Sequence, residues 1–228
     1  MAQWSRGQTR VAWVHGAVVV DHRGQVVLID APEGVGRALD AGVLSRVHAV
    51  CLSSGVLRDL AGLLVLLEQR SRLAAPPATV VFPLGEERPA ALLDAWSRGW
   101  AQVAPVVQDA VHPGATLTLG GVEVDAVPLG RGEVRWRPQP HVVPTVGLGW
   151  RIRTEDATVA VGRLPVPDGA VEKLVRGADL AIIEVGVEPW PVEDRRWRLR
   201  PDEAARVSGA GDLWLVGDDG RFGAGPDQ

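Results

Sequence analysis

Five histidines and one cysteine set the first limit on chemistry. His15, His22, His48, His112 and His141 stand far apart, and no two lie at metal-ligand spacing. A single cysteine, Cys51, rules out an internal disulfide and a cysteine-based structural zinc site. Cys51 sits inside an apolar run and is expected to be an inert core thiol. Arginine is the residue in excess. Of 24 basic side chains only Lys173 is lysine. The planar fork of arginine suits phosphate and carboxylate. One run stands out: Arg195, Arg196, Trp197, Arg198, Leu199 and Arg200, with Trp190 nearby. Arginine interleaved with tryptophan could grip single-stranded nucleic acid by stacking plus charge. Glu193, Asp194 and Asp202 flank the run, so a subunit interface ranks first, an exposed loop second and a nucleic-acid patch third.

The bulk numbers narrow the class. A net charge of −4 argues against a general nucleic-acid coat. No run of apolar residues is long enough for a membrane-spanning helix, so no membrane contact is expected. Met1 to Arg10 is polar and lacks a signal-peptide core, and with one unpaired cysteine the expected compartment is the cytoplasm. No linker-like tract and no repeat divides the 228 residues. One domain is expected over 1–228, with its core at about 11–217 and a flexible tail at 218–228.

The elements that must position any site can be read from periodicity. Val11 to Val20 is apolar and β-branched, and Asp21-His22-Arg23-Gly24 turns it into Gln25 to Ile29, a hairpin. Glu33 to Ala41 predicts a short helix closed by Gly42, and Val47 to Leu52 a buried strand. Asp59 to Leu73 and Glu86 to Arg98 have the helical period, with a strand from Thr79 to Phe82 between them. Ala101 to Val127 alternates like strand, and Gly120-Gly121 marks a hairpin. Gly130 to Pro140 reads as an arginine- and proline-rich loop. Val146 to Arg153 and Thr158 to Val161 predict strands paired across Glu155-Asp156, then a helix over Gly169 to Arg176 and a strand over Asp179 to Glu184. Trp190 to Leu199 reads as a charged loop, Pro201 to Val207 as a helix start and Asp212 to Val216 as a last strand. This order predicts an α/β protein with two mixed sheets between helices, an αββα sandwich.

The order of motifs resembles the metallo-β-lactamase fold, and within it the ribonuclease Z-like hydrolases. Leu28-Ile29-Asp30-Ala31-Pro32-Glu33-Gly34, followed by Arg37 and Leu39, is similar to that family's Leu-Leu-Asp-Cys-Gly-Glu-Gly turn. Val47-His48-Ala49-Val50-Cys51-Leu52-Ser53 resembles the strand that delivers its metal loop, and Gly62-Leu63 the opening of the next helix. His141 followed by Gly147-Leu148-Gly149-Trp150-Arg151-Ile152 resembles a ligand histidine and its Gly-Tyr-Arg-Ile strand. Gly177-Ala178-Asp179-Leu180-Ala181-Ile182-Ile183-Glu184 resembles a Gly-Ala-Asp-Leu-Leu-Ile-His-Glu strand.

The resemblance implies a zinc pair, and the residues depart from it. The family's His-x-His-x-Asp-His loop reads Ser54, Val56, Arg58 and Asp59 here. The bridging aspartate of its Ser-Gly-Asp-Thr turn falls on Arg163, within Val161-Gly162-Arg163-Leu164. Its last ligand histidine falls near Gly217-Asp218, and of the ligand set His141 alone is kept. A zinc site needs three or four N, S or O donors converging within about 2.0–2.3 Å. No metal, no cofactor and no catalytic residue is therefore expected, although the family uses zinc. The vestigial cleft would be Ser54, Arg58, Asp59, His141 and Arg163. Arg58 and Arg163 either hold an anion there or fill the cavity by pairing with Asp30, Asp59 or Glu184. His141 is a remnant ligand, an anion contact or a solvated loop residue. Asp30 reads as a structural turn. The nearly unbroken apolar stretch Leu60 to Leu67 predicts a helix buried on two sides, in the sandwich or at a dimer interface, and the resemblance implies pairing through this helix. The leading expectation is a pseudoenzyme: a binding, scaffold or regulatory subunit, as a homodimer or with an active relative or other protein. The alternatives are a hydrolase of phosphodiesterase or ribonuclease Z type with an altered site, and an RNA- or nucleotide-binding module.

Overall fold

The computed structural model describes residues 2–100, 105–136, 141–163, 169–185, 204, 206, 209–217 and 222–224, with the backbone alone at 130–136, 141–146 and 222–224. Among these residues the strands form two seven-stranded sheets. The first holds, in spatial order, β1 (Gln3–Arg6), β2 (Thr9–Val14), β3 (Ala17–His22), β4 (Gln25–Ile29), β5 (Val47–Cys51), β6 (Ala78–Pro83) and β7 (Val106–Val111). β1 to β4 are antiparallel, and β4 to β7 are parallel. The second sheet runs from β8 (Thr116–Leu119) through β9 (Val122–Trp136), β10 (His141–Arg153), β11 (Thr158–Gly162), β12 (Leu180–Val185) and β13 (Asp212–Gly217) to β14 (Phe222–Ala224). Only β11, β12 and β13 are parallel in it.

Three apolar clusters define the layers. Val18, Val20, Val27, Ile29, Cys51 and Val81 face Val124, Trp150, Ile152, Val161, Ile182 and Trp214 between the sheets. The alternate residues Ala17, Val19, Val26 and Leu28 point the other way, as the period of two in a strand requires. They meet Leu39, Leu44, Leu63, Leu66, Leu67, Leu93 and Trp96. Those residues follow or lie on α1 (Val35–Ala38), α2 (Ala41–Arg46), α4 (Leu63–Arg72) and α5 (Glu87–Trp100); α3 (Leu57–Leu60) precedes α4. On the far side α6 (Gly169–Val175) packs Val171, Leu174 and Val175 onto Ala160, Ile183 and Leu215. The architecture is the expected αββα sandwich. No helix among the described residues is long and apolar enough to cross a membrane.

Several element boundaries differ from expectation, each for a physical reason. The apolar run Val11 to Val20 is two strands, folded at His15-Gly16 where both residues take positive φ, 46° and 85°. Glycine adopts that conformation freely, and histidine tolerates it. Glu33 to Ala41 does not form one helix. Leu39 turns extended and ends α1, and Asp40 caps α2, its carboxylate accepting the Val43 N–H at 2.9 Å. Asp59 to Leu73 is split into α3 and α4 at Ala61-Gly62. Residues 130–136 are strand rather than loop. They pair with His141 to Gly147, and the partner strand outweighs a polar, proline-bearing local sequence. Phe222 to Ala224 pairs with β13, so part of the expected loose tail is an edge strand. The expected loop over 190–199 lies outside the described residues.

Candidate functional site

The carboxyl ends of the parallel strands come together at one edge of the sandwich, where open α/β sheets commonly carry their sites. Asp30 follows β4, at φ 62°. Ser53 and Ser54 follow β5, Arg163 follows β11, and Glu184 lies near the end of β12. α3 supplies Arg58 and Asp59. Two backbone bonds fix the loop: Ala31 N–H donates to the Asp59 carbonyl and Gly62 N–H to the Ala31 carbonyl, each at 2.7 Å. A Cβ at position 62 would lie 2.1 Å from the Pro32 carbonyl oxygen, so only glycine permits this approach. Leu148 N–H donates to the Ser53 carbonyl at 2.8 Å and ties in the second sheet.

Arg163 occupies the centre. Its side chain is 7% exposed and enters a pocket of three carboxylates. Nε donates to Glu184 Oε2 at 3.3 Å. Nη1 lies 3.3 Å from Asp30 Oδ2 and donates to the Gly16 carbonyl; Nη2 lies 3.7 Å from Asp59 Oδ1. The Trp13 ring lies 5.7 Å from the guanidinium carbon, within reach of a cation–π contact. Arg58 approaches from the solvent side, donating to Glu184 Oε1 at 2.8 Å through Nη1 and to Asp59 Oδ1 at 3.4 Å through Nε. Its Nη2 is buried without a hydrogen-bond partner among the described residues. Ser54 Oγ donates to Asp59 Oδ2 at 2.6 Å. The Ser53 N–H and hydroxyl donate to Asp30 at 2.6 and 3.0 Å.

The electrostatics follow from burial and crowding. Burial, and then the charge of Asp59, push Asp30 up to about 7, against the opposing pull of Arg163 and the Ser53 hydrogen bonds. Burial works against the charge of Arg163, but Asp30, Asp59 and Glu184 outweigh it and raise its pKa. Arg58 is raised in the same way, burial being outweighed by Glu184 and Asp59. Burial also pushes the Cys51 thiol up, so it stays protonated within the sheet.

Of the expected cleft residues, Ser54, Arg58, Asp59 and Arg163 are brought together. His141 opens β10 opposite Trp136, seven positions before Leu148, and its side chain lies outside the described residues. Arg195, Arg196, Trp197, Arg198 and Arg200 also lie outside them. The contributions of Ser53, Trp13 and the Gly16 carbonyl were not foreseen. The Gly16 contact depends on the unforeseen turn after β2, for which Gly16, interrupting the apolar run, was the local signal.

No protein-family model matches the chain, and no curated protein matches it in sequence. Solved structures do match. The metallo-beta-lactamase fold protein YhfI from Bacillus subtilis superposes with a TM-score of 0.66 at 17% identity, covering 87% of this chain and 76% of that one. The zinc-bound PqqB from Methylobacterium extorquens gives 0.67 at 17% identity, covering 88% and 75%. The short form of human tRNase Z gives 0.65 at 17% identity, covering 92% of both chains. The fold is the metallo-β-lactamase fold. The zinc that this fold can carry does not fit the described residues of the cleft. Among the described residues no group of three or more His, Cys, Asp or Glu side chains is placed to hold a metal ion. A guanidinium, which cannot give up its proton, stands among the three carboxylates instead.

Proposed function

We propose that this chain keeps the metallo-β-lactamase fold without its metal chemistry and works by binding, as a scaffold or regulatory subunit paired with a second copy or with another protein. The observation that carries this reading is Arg163. A fixed cation bonded into Asp30, Asp59 and Glu184 leaves no room and no free carboxylate for a divalent ion, and like charges there repel strongly at low effective dielectric. Without a metal there is no activated hydroxide, the nucleophile on which metal-assisted hydrolysis depends. Pairing is supported by an exposed apolar face beside the cleft: Leu57 is 61% and Val65 38% exposed, and Ala61 lies between them. Leu57 opens α3, Ala61 lies at the break between the helices and Val65 is on the first turn of α4, and all three are exposed.

Metal content decides the matter. Protein purified without chelator and measured by mass spectrometry of its metals is expected to carry well under 0.1 equivalent of zinc, manganese or iron per chain. One or two equivalents, retained through gel filtration, would overturn the reading in favour of a metal-dependent hydrolase.

A further inference from the structure

We infer that the pocket around Arg163 is a guanidinium receptor: a binding site whose groups match a planar fork rather than a spherical metal ion, and which the chain fills with its own side chain. This rests on the metal-free reading of the cleft and specifies what replaced the metal. The acceptors are distributed around the fork one direction at a time. Glu184 takes the Nε edge, Asp30 and the Gly16 carbonyl share Nη1, and Asp59 faces Nη2. A guanidinium offers five N–H groups in a fixed plane, and here Nε and Nη1 donate to acceptors on different segments of chain, while Nη2 faces the Asp59 carboxylate at 3.7 Å as an ion pair. Trp13 adds an aromatic ring at 5.7 Å, a partner suited to a weakly hydrated, delocalised cation. A metal ion would need the same oxygens to converge on one point within about 2.0–2.6 Å. They lie instead 3.3 to 3.7 Å from three different nitrogens.

The pocket is also preorganised without the arginine. Asp30 is held by two bonds from Ser53, and Asp59 by Ser54 Oγ and Arg58. Glu184 is held by Arg58 Nη1. Removing the Arg163 side chain therefore leaves a shaped, negatively charged cavity and not a collapsed one.

The experiment is chemical rescue. Arg163→Ala is expected to lower Tm by about 10 °C, as loss of a buried charge partner does in a chain of this size. Methylguanidinium chloride at 10–50 mM is expected to recover at least half of that fall, while leaving the parent protein and an Arg10→Ala control unchanged or slightly lower. Zinc or manganese at 1 mM is expected to recover none of it. Recovery by metal but not by methylguanidinium, or by neither, overturns the proposal. Should Arg163→Ala fail to fold, Arg163→Lys takes its place: a marked loss of Tm means the site reads the fork, and a Tm equal to the parent's means it reads charge alone and overturns the proposal. A metal-loaded parent protein would sink the metal-free reading, and failed rescue of Arg163→Ala where the parent is metal-free would sink this one, so the two failures are distinct.

Discussion

Asp30 shows how a single carboxyl group can couple the cleft to pH. It is fully buried, beside Asp59, and raised to about 7. A carboxyl whose folded pKa lies above its unfolded value binds its proton more tightly when folded. The stability it contributes is complete below about pH 4 and is lost as pH rises through about 7. The expected loss over that range is on the order of 3 kcal/mol. Urea midpoints measured from pH 4.5 to 8 should fall with pH, and Asp30→Asn, which cannot ionise, should flatten that slope whatever its starting stability. An equally steep slope in the variant would show that another group titrates. At this scale the sequence was partly legible. Arg58 and Arg163 could be set against Asp30, Asp59 and Glu184 because the resemblance in motif order located Asp30, Arg163 and Glu184 at strand ends and Arg58 and Asp59 in the loop before the next helix. The environment of Asp30 could not be, because the Ser53 bonds and the burial are products of the whole sandwich.

At the scale of elements, legibility tracked how local the determinant was. β5, β6 and α5 formed close to where periodicity placed them, and Gly120-Gly121 made its hairpin with Leu119 opposite Val122. The extension of β9 and β10 was illegible, because its pairing partner lies across the hairpin rather than within the segment. The stretch from Leu60 to Leu67 was expected to be buried on two sides. Leu63, Leu66 and Leu67 do face the core, while Leu57 and Val65 face out. That outward face carries the pairing proposal. Leu57→Glu with Val65→Glu should leave the monomer fold intact, since exposed substitutions usually cost under about 0.5 kcal/mol. In sedimentation the parent is expected to run as a dimer and the double variant as a monomer at the same concentration. A monomeric parent would remove the homodimer, and a dimeric variant would move the interface off this face.

At the scale of the molecule, the sandwich is clasped at both ends, by unequal means. At the cleft end Arg163, buried, joins the Gly16 turn, Asp30 and Asp59 of the first half to Glu184 of the second. At the other end β1 and the loop after it reach over to the second sheet. Arg6 pairs with Asp179, Trp4 Nε1 donates to Asp212 at 2.7 Å, and Gln8 N–H donates to Asp156 at 2.7 Å. The Arg6 side chain is 58% exposed, so its ion pair is screened by water and worth less than about 1 kcal/mol. Breaking the buried Arg163 cluster should cost about 3–5 kcal/mol. The two clasps sit at opposite ends of β11, whose five residues separate them by about 17 Å, beyond the range of direct coupling. If the two sheets unfold as one unit, Arg6→Ala and Arg163→Ala should add in the double variant to within about 0.5 kcal/mol in denaturant unfolding. Only the Arg6 contribution should shrink in 0.5 M salt, because exposed pairs are screened and buried ones are not. A double variant that loses much less than the sum would mean that the sheets part at one end before the other, and that the cleft clasp does not hold the far end of the sandwich at all.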